Sequence, residues 1–325
     1  MLGVLPQSRE RPEIGELSPP EPKAGEVVVE VRAAGLNHAD LMQLRGHYPP
    51  PPGESEIPGL ELAGIVREVG EGVEGFAPGD RVMALVAGGA HAELAAVPAG
   101  QLMPLPENLS FVEGGAIPEA GLTAWTNLVH EGGLQAGETV LITGATGGMG
   151  RTMVQLAHEI GARVVAAGRD RERLEPLLDL GADAVVTLGE GFADRVRDAN
   201  GGRGADLALE LVGGQHLPRS LAALARQGRC VLVGLLAGRV AEIDLRPLLS
   251  RRLRLIGSVL RARSRVEKAE LVAAFADFAL PRLADGRLRP QVDRVLPFEE
   301  VADAYGLLAD GGLEGKVVLE MSAQR

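Results

Sequence analysis

Short apolar runs broken by Gly, Pro or Asp open the chain. Up to about residue 110 they read VVVEVRAAG, AGIVREVG, RVMALVAGG and AELAAVP, each of strand length and closed by a turn residue. They predict an all-β, barrel-like module. From about Leu122 the pattern changes to strand-like runs alternating with helical periods: TVLITGA, GRTMVQLAHEIGA, RVVAAG, RERLEPLLDLGA and AVVTL. Strands separated by helices pair in parallel, so this stretch predicts an open, doubly wound sheet. ADLALELVGG, the helix-like HLPRSLAALARQG, the strand RCVLVGL and finally LRLIGSVL complete it. Beyond about Arg261 come a helical VEKAELVAAFADFALPRLADG, a strand-like VDRVLPF, a short helix EEVADAYGLLADG and a closing strand GKVVLEM. That last strand needs a β neighbour, for which the amino-terminal module is expected.

Composition narrows the function classes. At roughly 150 residues per domain, 325 residues give two domains. A hydrophobic share of 46% with 24% charged residues excludes disorder as the main state. Cys230 is the single cysteine, so one chain builds neither an internal disulfide nor a four-thiolate metal site. Lys and Arg total 33 against 44 Asp and Glu, and the net charge of −11 argues against a duplex nucleic acid partner. Only Lys23, Lys268 and Lys316 are lysine. No basic start leads into an apolar core and no run approaches ~20 apolar residues, which predicts a soluble, cytoplasmic protein with no membrane partner. Pro49 to Pro52 form a stiff segment, either a plain loop or a device holding Tyr48 rigidly at a cleft.

The strongest chemical motif is TVLITGATGGMGRTMVQLAHEIGA. A buried strand runs into Gly144, Ala145, Thr146, Gly147, Gly148, Met149 and Gly150 before a helix. Glycines let backbone approach a pyrophosphate, and the helix N-terminus offers it unpaired N–H groups and a positive dipole end. The next strand ends at Gly168, where an NAD site carries a carboxylate for the ribose hydroxyls. Here Arg169 follows, then Arg171 and Arg173, and cations there suit the 2′-phosphate of NADPH. The competing reading is a solvated first helical turn, with Asp170 and Glu172 interleaved.

A barrel-like module followed by a dinucleotide domain resembles the medium-chain dehydrogenase/reductase superfamily, whose alcohol dehydrogenases carry catalytic zinc. Zinc members read roughly G-x-C-x-x-D and then G-H-E. This chain reads Gly35-Leu36-Asn37-His38-Ala39-Asp40 and Gly59-Leu60-Glu61, with Asn37 for the thiolate and Leu60 for the imidazole. His38 and His91 are lone histidines, read as packed or solvated rather than as ligands, so no metal is expected. AAGLNHADLMQLRGHYPPPPG, IPGLELAGIVREVG, GAIPEAGLTAW, VLVGLLAG, Leu260-Arg261 and GKVVLE are similar to the zinc-free quinone oxidoreductases, the zeta-crystallin-like branch, and among them to the stress-inducible animal quinone reductases.

That resemblance spans essentially the whole chain. It implies an α/β protein with a GroES-like β-barrel catalytic domain, residues 1–120 and 261–325, and a Rossmann doubly wound parallel-sheet domain, residues 121–260. It further implies NADPH-dependent reduction of a small quinone in the cleft between them, and a homodimer formed through strand 253–260. Thr123, Val212, Gly213, Gly234, Leu236, Leu260, Arg261 and Lys316 carry over as cofactor-lining positions. Where relatives often place a lysine and a tyrosine near the adenosine phosphate, this chain has Arg173 and Thr187-Leu188, so the phosphate grip is expected to be rebuilt from arginine.

Alcohol oxidation needs a Lewis acid or base to take a proton, whereas a quinone is already electrophilic. Positioning and one hydrogen bond to the developing oxyanion suffice for it. Tyr48 is the expected donor, with Asn37 beside it. Asp40 either orients Asn37 or a substrate, or caps the helix DLMQLRG. The rival within enzymes is NADPH-dependent reduction of an activated C=C bond in an alkenal, enone or enoyl thioester. Outside enzymes it is a non-catalytic NADPH-binding protein. The six arginines from Arg251 to Arg265 suggest a basic patch, but net charge −11 and 3% aromatic residues argue against an RNA partner.

Overall fold

The computed structural model describes residues 1–9 and 11–322, and these divide into two units, one formed by the described residues up to Leu122 together with those from Leu260 onward, the other by residues 123–259. Chain order begins with β1 (Leu2–Val4), β2 (Ile14–Glu16), β3 (Glu26–Gly35), α1 (His38–Leu44), β4 (Glu61–Val69), β5 (Arg81–Leu85), β6 (Leu94–Pro98), β7 (Leu102–Pro104), α2 (Phe111–Gly114) and α3 (Pro118–Trp125). Through the second unit run β8 (Thr139–Thr143), α4 (Gly148–Ile160), β9 (Arg163–Gly168), α5 (Arg171–Leu174), β10 (Ala184–Thr187), α6 (Phe192–Ala199), β11 (Ala205–Glu210), α7 (Leu217–Ala223), β12 (Leu224–Leu232), α8 (Arg246–Ser250) and β13 (Arg254–Gly257). Then α9 (Arg265–Ala284), β14 (Val292–Pro297), α10 (Val301–Asp310) and β15 (Lys316–Glu320) return to the first unit.

In the first unit, β3 is the organising strand. Its sequence EVVVEVRAAG is buried almost throughout rather than on alternate residues. Both its edges are paired: β4 runs along one, while β6 and then β15 occupy the other. The sheet order is β14-β15-β3-β4-β5-β7, with β6 also on β3. The closing strand GKVVLEM therefore finds its neighbour in the amino-terminal module. Val27, Val29, Val31, Leu62, Val66, Val82 and Leu319 fill the core together with Val301, Ala304 and Tyr305 of α10.

The second unit is a six-stranded parallel sheet of order β10-β9-β8-β11-β12-β13. Both faces are covered, so TVLIT of β8 is buried at every position. The inward stripe of α4 is Met153, Val154, Leu156 and Ala157, and the helix stops at Gly161, whose left-handed φ of 87° a side chain would resist. Because all strands are parallel, their carboxyl ends lie at one edge, the edge where open α/β sheets bind ligands.

Two helices are shorter than their patterns predict. RERLEPLLDLGA yields only α5 and one 3-10 turn at Glu175–Leu177, since Pro176 has no N–H to continue the ladder. HLPRSLAALARQG ends as helix at Ala223. Leu224 turns extended and joins the same core as Leu221, and Gln227 takes a positive φ of 66° at an irregular start to β12. LRLIGSVL forms only the four-residue edge strand β13.

Candidate functional site

The glycine that ends β3 leads into α1, and the first turn of that helix carries the polar chemistry of the first unit. Asn37 is the N-cap and Asp40 the third helical residue, so Asp40 caps the helix from inside the first turn rather than from the cap position its sequence context suggested. The Asp40 carboxylate accepts from the backbone N–H of Asn37 at 2.7 Å and from that of Gly59 at 3.1 Å. Full burial raises its pKa, opposed by His91, the two N–H donors and Lys316.

The Asn37 side chain is tied at both ends. Its Nδ2 donates to Glu61 Oε1 at 2.9 Å, and its Oδ1 accepts from the Lys316 ammonium. Lys316 also pairs with Glu61 Oε1 at 2.6 Å, and the backbone N–H of Glu119 donates to Glu61 Oε2 at 2.9 Å. Glu61 is completely buried and Lys316 nearly so, so the pair is shielded from water. Leu60 packs into the core beside them. Below the cluster, the His91 Nδ1 and the Tyr305 hydroxyl share a 2.9 Å hydrogen bond, with the rings edge to face. Burial lowers the His91 pKa, favouring the neutral ring, and raises that of the buried Tyr305 hydroxyl. His38, next to Asn37, is also shifted down, by partial desolvation first and then by Arg45.

Tyr48 is held from behind. Arg261 donates to its carbonyl at 2.9 Å, to the Ala87 carbonyl at 2.8 Å and to Gln43 Oε1 at 2.5 Å, and its guanidinium carbon stands 5.1 Å from the centroid of the Tyr48 ring. Gln43 in turn donates to the Glu56 carbonyl at 2.8 Å, closing the loop that contains the proline run. The Tyr48 hydroxyl makes no hydrogen bond to a described residue. Burial first, then Glu119, raises its pKa against the opposing Arg261, so it stays a donor at neutral pH.

In the second unit, β8 passes into Gly144 at a φ of 63°, the Ala145 N–H bonds the Ala167 carbonyl at 3.1 Å, and Gly147 caps α4. Thr146 to Met149 are half-exposed, and a Cβ at Gly147 would meet nothing within 4 Å. A Cβ at Gly150 would stand 2.5 Å from the Ala145 Cα. The turn is therefore folded tightly on itself and open outward, with the first N–H groups of α4 lacking intrahelical partners, which fits a pyrophosphate. Gly168 ends β9 buried, and Arg169 is exposed beside it. Asp170 caps α5 by accepting from the Glu172 N–H at 2.9 Å, and Arg171 pairs with Glu175. Val212 and Gly213 follow β11, Gly234 follows β12, and Leu236 is 61% exposed.

The structure thus gathers Asn37 and Asp40, expected together at the catalytic site, with Lys316, expected to line the cofactor, and sets Tyr48 on Arg261. Thr123, half a turn from the end of α3, is buried, as is Leu260. Sequence reading passed over Tyr305 and Glu210, named Glu61 only beside Leu60 without a role, and read His91 as packed or solvated, and His91 is packed, with its ring fully buried. A signal existed for each: a carboxylate inside the apolar runs GLELAG and ALELVG, a histidine set between two alanines, and only two tyrosines in the chain.

Residues 23–107 match the alcohol dehydrogenase GroES-like domain, and residues 148–276 match zinc-binding dehydrogenase. Human quinone oxidoreductase is 30% identical over 308 residues, 94% of this chain and 92% of that protein. A mycobacterial protein solved as a complex with NADPH superposes with a TM-score of 0.88 at 27% identity, covering 98% of this chain and 100% of that one. An NAD-dependent alcohol dehydrogenase gives 0.85 at 30% identity, covering 99% and 100%.

Proposed function

Since the chain belongs to the quinone oxidoreductase family of the medium-chain dehydrogenase/reductase superfamily, we propose that it reduces small quinones with NADPH, without a metal. The observation that carries the reading is Tyr48: a hydroxyl with no partner among the described residues, on a loop clamped by Arg261. A free, protonated donor on a fixed loop is what a developing quinone oxyanion requires. Asn37, held by Glu61 and Lys316, keeps its amide orientation and adds a polar wall rather than a proton acceptor. Asp40 acts as a positioning residue, holding Asn37 and Gly59 in place.

When bound, the dinucleotide supplies the hydride. The turn from Gly144 to Gly150 and the amino end of α4 would hold its pyrophosphate, with Thr123, Val212, Gly213, Gly234, Leu236 and Leu260 lining it. Relatives of both cofactor types match this chain, so the preference for NADPH rests on the cations Arg169 and Arg173 where an NAD site carries a carboxylate. Arg261 and Lys316, expected to line the cofactor, are proposed instead to position Tyr48 and Asn37. The exposed edge strand β13, with Leu255 facing outward, is proposed to pair with a second copy in a homodimer. No helix among the described residues is long and apolar enough to cross a membrane.

The test is NADPH oxidation with phenanthrenequinone beside an alkenal, with NADH and a chelator as further arms. Turnover of the quinone with NADPH that survives the chelator is the expected result. Turnover of the alkenal alone would replace the assignment by C=C reduction, and NADPH binding without turnover on either would refute catalysis.

A further inference from the structure

The strand β11, ADLALE, ends on a carboxylate that its apolar pattern does not call for. Glu210 is completely buried, and a buried carboxylate is costly unless its lone pairs are met. They are. Glu210 Oε1 accepts from the Thr143 hydroxyl, the Val212 N–H and the Gly213 N–H, each at 2.9 Å, and Oε2 accepts from the Ser220 hydroxyl. Its backbone carbonyl accepts from the N–H groups of Val233 at 2.9 Å and Gly234 at 3.2 Å. Among the described residues no cation pairs with it.

These bonds reach the carboxyl ends of three adjacent strands, β8, β11 and β12. Thr143 is the last residue of β8 and precedes Gly144. Val212 and Gly213 leave β11, with Gly213 at a positive φ of 70°. Val233 and Gly234 leave β12, and the Ala237 N–H then bonds back to the Val212 carbonyl at 2.7 Å. Ser220 adds α7. The three loops are the stretches assigned above to the dinucleotide, and those after β11 and β12 open on the same tripeptide, Leu211-Val212-Gly213 and Leu232-Val233-Gly234.

We propose that Glu210 is the positioning residue of the dinucleotide site, locking three strand-end loops into the shape that receives the cofactor without itself contacting it. The inference rests on reading this unit as the nicotinamide dinucleotide site. Three donors converge on one oxygen, which an acceptor with several lone-pair directions satisfies and an apolar side chain cannot. Glutamine is the informative replacement. Its oxygen can keep the Thr143, Val212 and Gly213 bonds while its NH2 donates to Ser220, whose hydroxyl then accepts. Leucine fills the volume but leaves two loop N–H groups unpaired.

The experiment measures NADPH affinity of the full chain by nucleotide fluorescence, beside thermal unfolding and the split between KM for NADPH and kcat. Leaving buried N–H groups unmet predicts that Glu210→Leu weakens NADPH binding by about tenfold or more, with kcat at saturating NADPH changed less than about threefold. Glu210→Gln should stay within about threefold of the parent in affinity. A Glu210→Leu protein that melts earlier yet binds NADPH with unchanged affinity would show a purely structural carboxylate and overturn the proposal. If that variant does not fold, Thr143→Val and Ser220→Ala decide: each should weaken binding about two- to fivefold, and unchanged affinity in both overturns it. A parent chain that binds neither NADPH nor NADH fails before any variant is made, and it is the dinucleotide reading that falls.

Discussion

Replacing Lys316 by methionine isolates the buried pair at the heart of the first unit. Methionine keeps most of the side-chain length and removes the charge. Glu61 would then remain wholly buried with only the Asn37 amide and the Glu119 N–H as donors, having lost the ammonium at 2.6 Å. Asn37 Oδ1 would lose its donor as well. Removing one partner of such a pair costs about 3–5 kcal/mol, because the remaining charge is left uncompensated in a medium that solvates it poorly. For a unit of this size each kcal/mol lowers the melting temperature by about 2–4 °C, so a fall of about 6–20 °C is expected. Differential scanning calorimetry and urea denaturation followed by far-ultraviolet circular dichroism measure it. The double variant Lys316→Met/Glu61→Gln removes the orphaned charge and should recover at least half the loss, since glutamine still meets the Glu119 N–H. A loss below about 1 kcal/mol in the single variant, or a double variant as unstable as the single one, would refute the argument that burial gives this pair its weight.

Tyr48→Phe should lower kcat/KM for the quinone by about 10–100-fold while NADPH affinity holds, and equal turnover by the two proteins would remove Tyr48 as donor. Arg261→Met leaves the Tyr48 and Ala87 carbonyls without their donor and should cost about 2–4 kcal/mol of stability, with Arg261→Lys failing to restore it because a point charge cannot reach three separated acceptors; full rescue by lysine in urea denaturation would contradict this. Gly150→Ala puts a Cβ 2.5 Å from the Ala145 Cα, so it should abolish NADPH binding measured by fluorescence, and retained affinity would show that the turn is not the pyrophosphate cradle. Because burial holds His91 below its ordinary pKa, the neutral ring's stabilisation is complete above about pH 6.5 and falls away as pH drops toward the folded value, by up to about 1.4 kcal/mol per pH unit. His91→Gln should flatten stability below about pH 6.5, and an unchanged slope would assign the acid sensitivity elsewhere.

Much of this protein was legible in its string of residues. Strand-length apolar runs, the change to a strand–helix alternation near Leu122 and the glycine turn after β8 are all local patterns, and their spacing predicts a β module followed by a parallel sheet with a glycine turn at its carboxyl edge. The loss of ligand types at Asn37 and Leu60 was equally plain. Where local pattern failed, a single residue intervened: Pro176 cut one predicted helix short, and Leu224 left another to enter the core.

The working contacts lay beyond such reading. Lys316 meets Asn37 across 279 positions, and Arg261 meets the Tyr48 carbonyl across 213. In sequence Lys316 merely opens an apolar strand, Arg261 sits in a basic stretch, and Glu210 ends a run of small apolar residues. Periodicity reports which face a side chain takes, because it follows from the repeat of the backbone itself. Which charge a buried side chain meets on that face follows from sheet order, and β15 lies against β3 only once the chain has closed on itself.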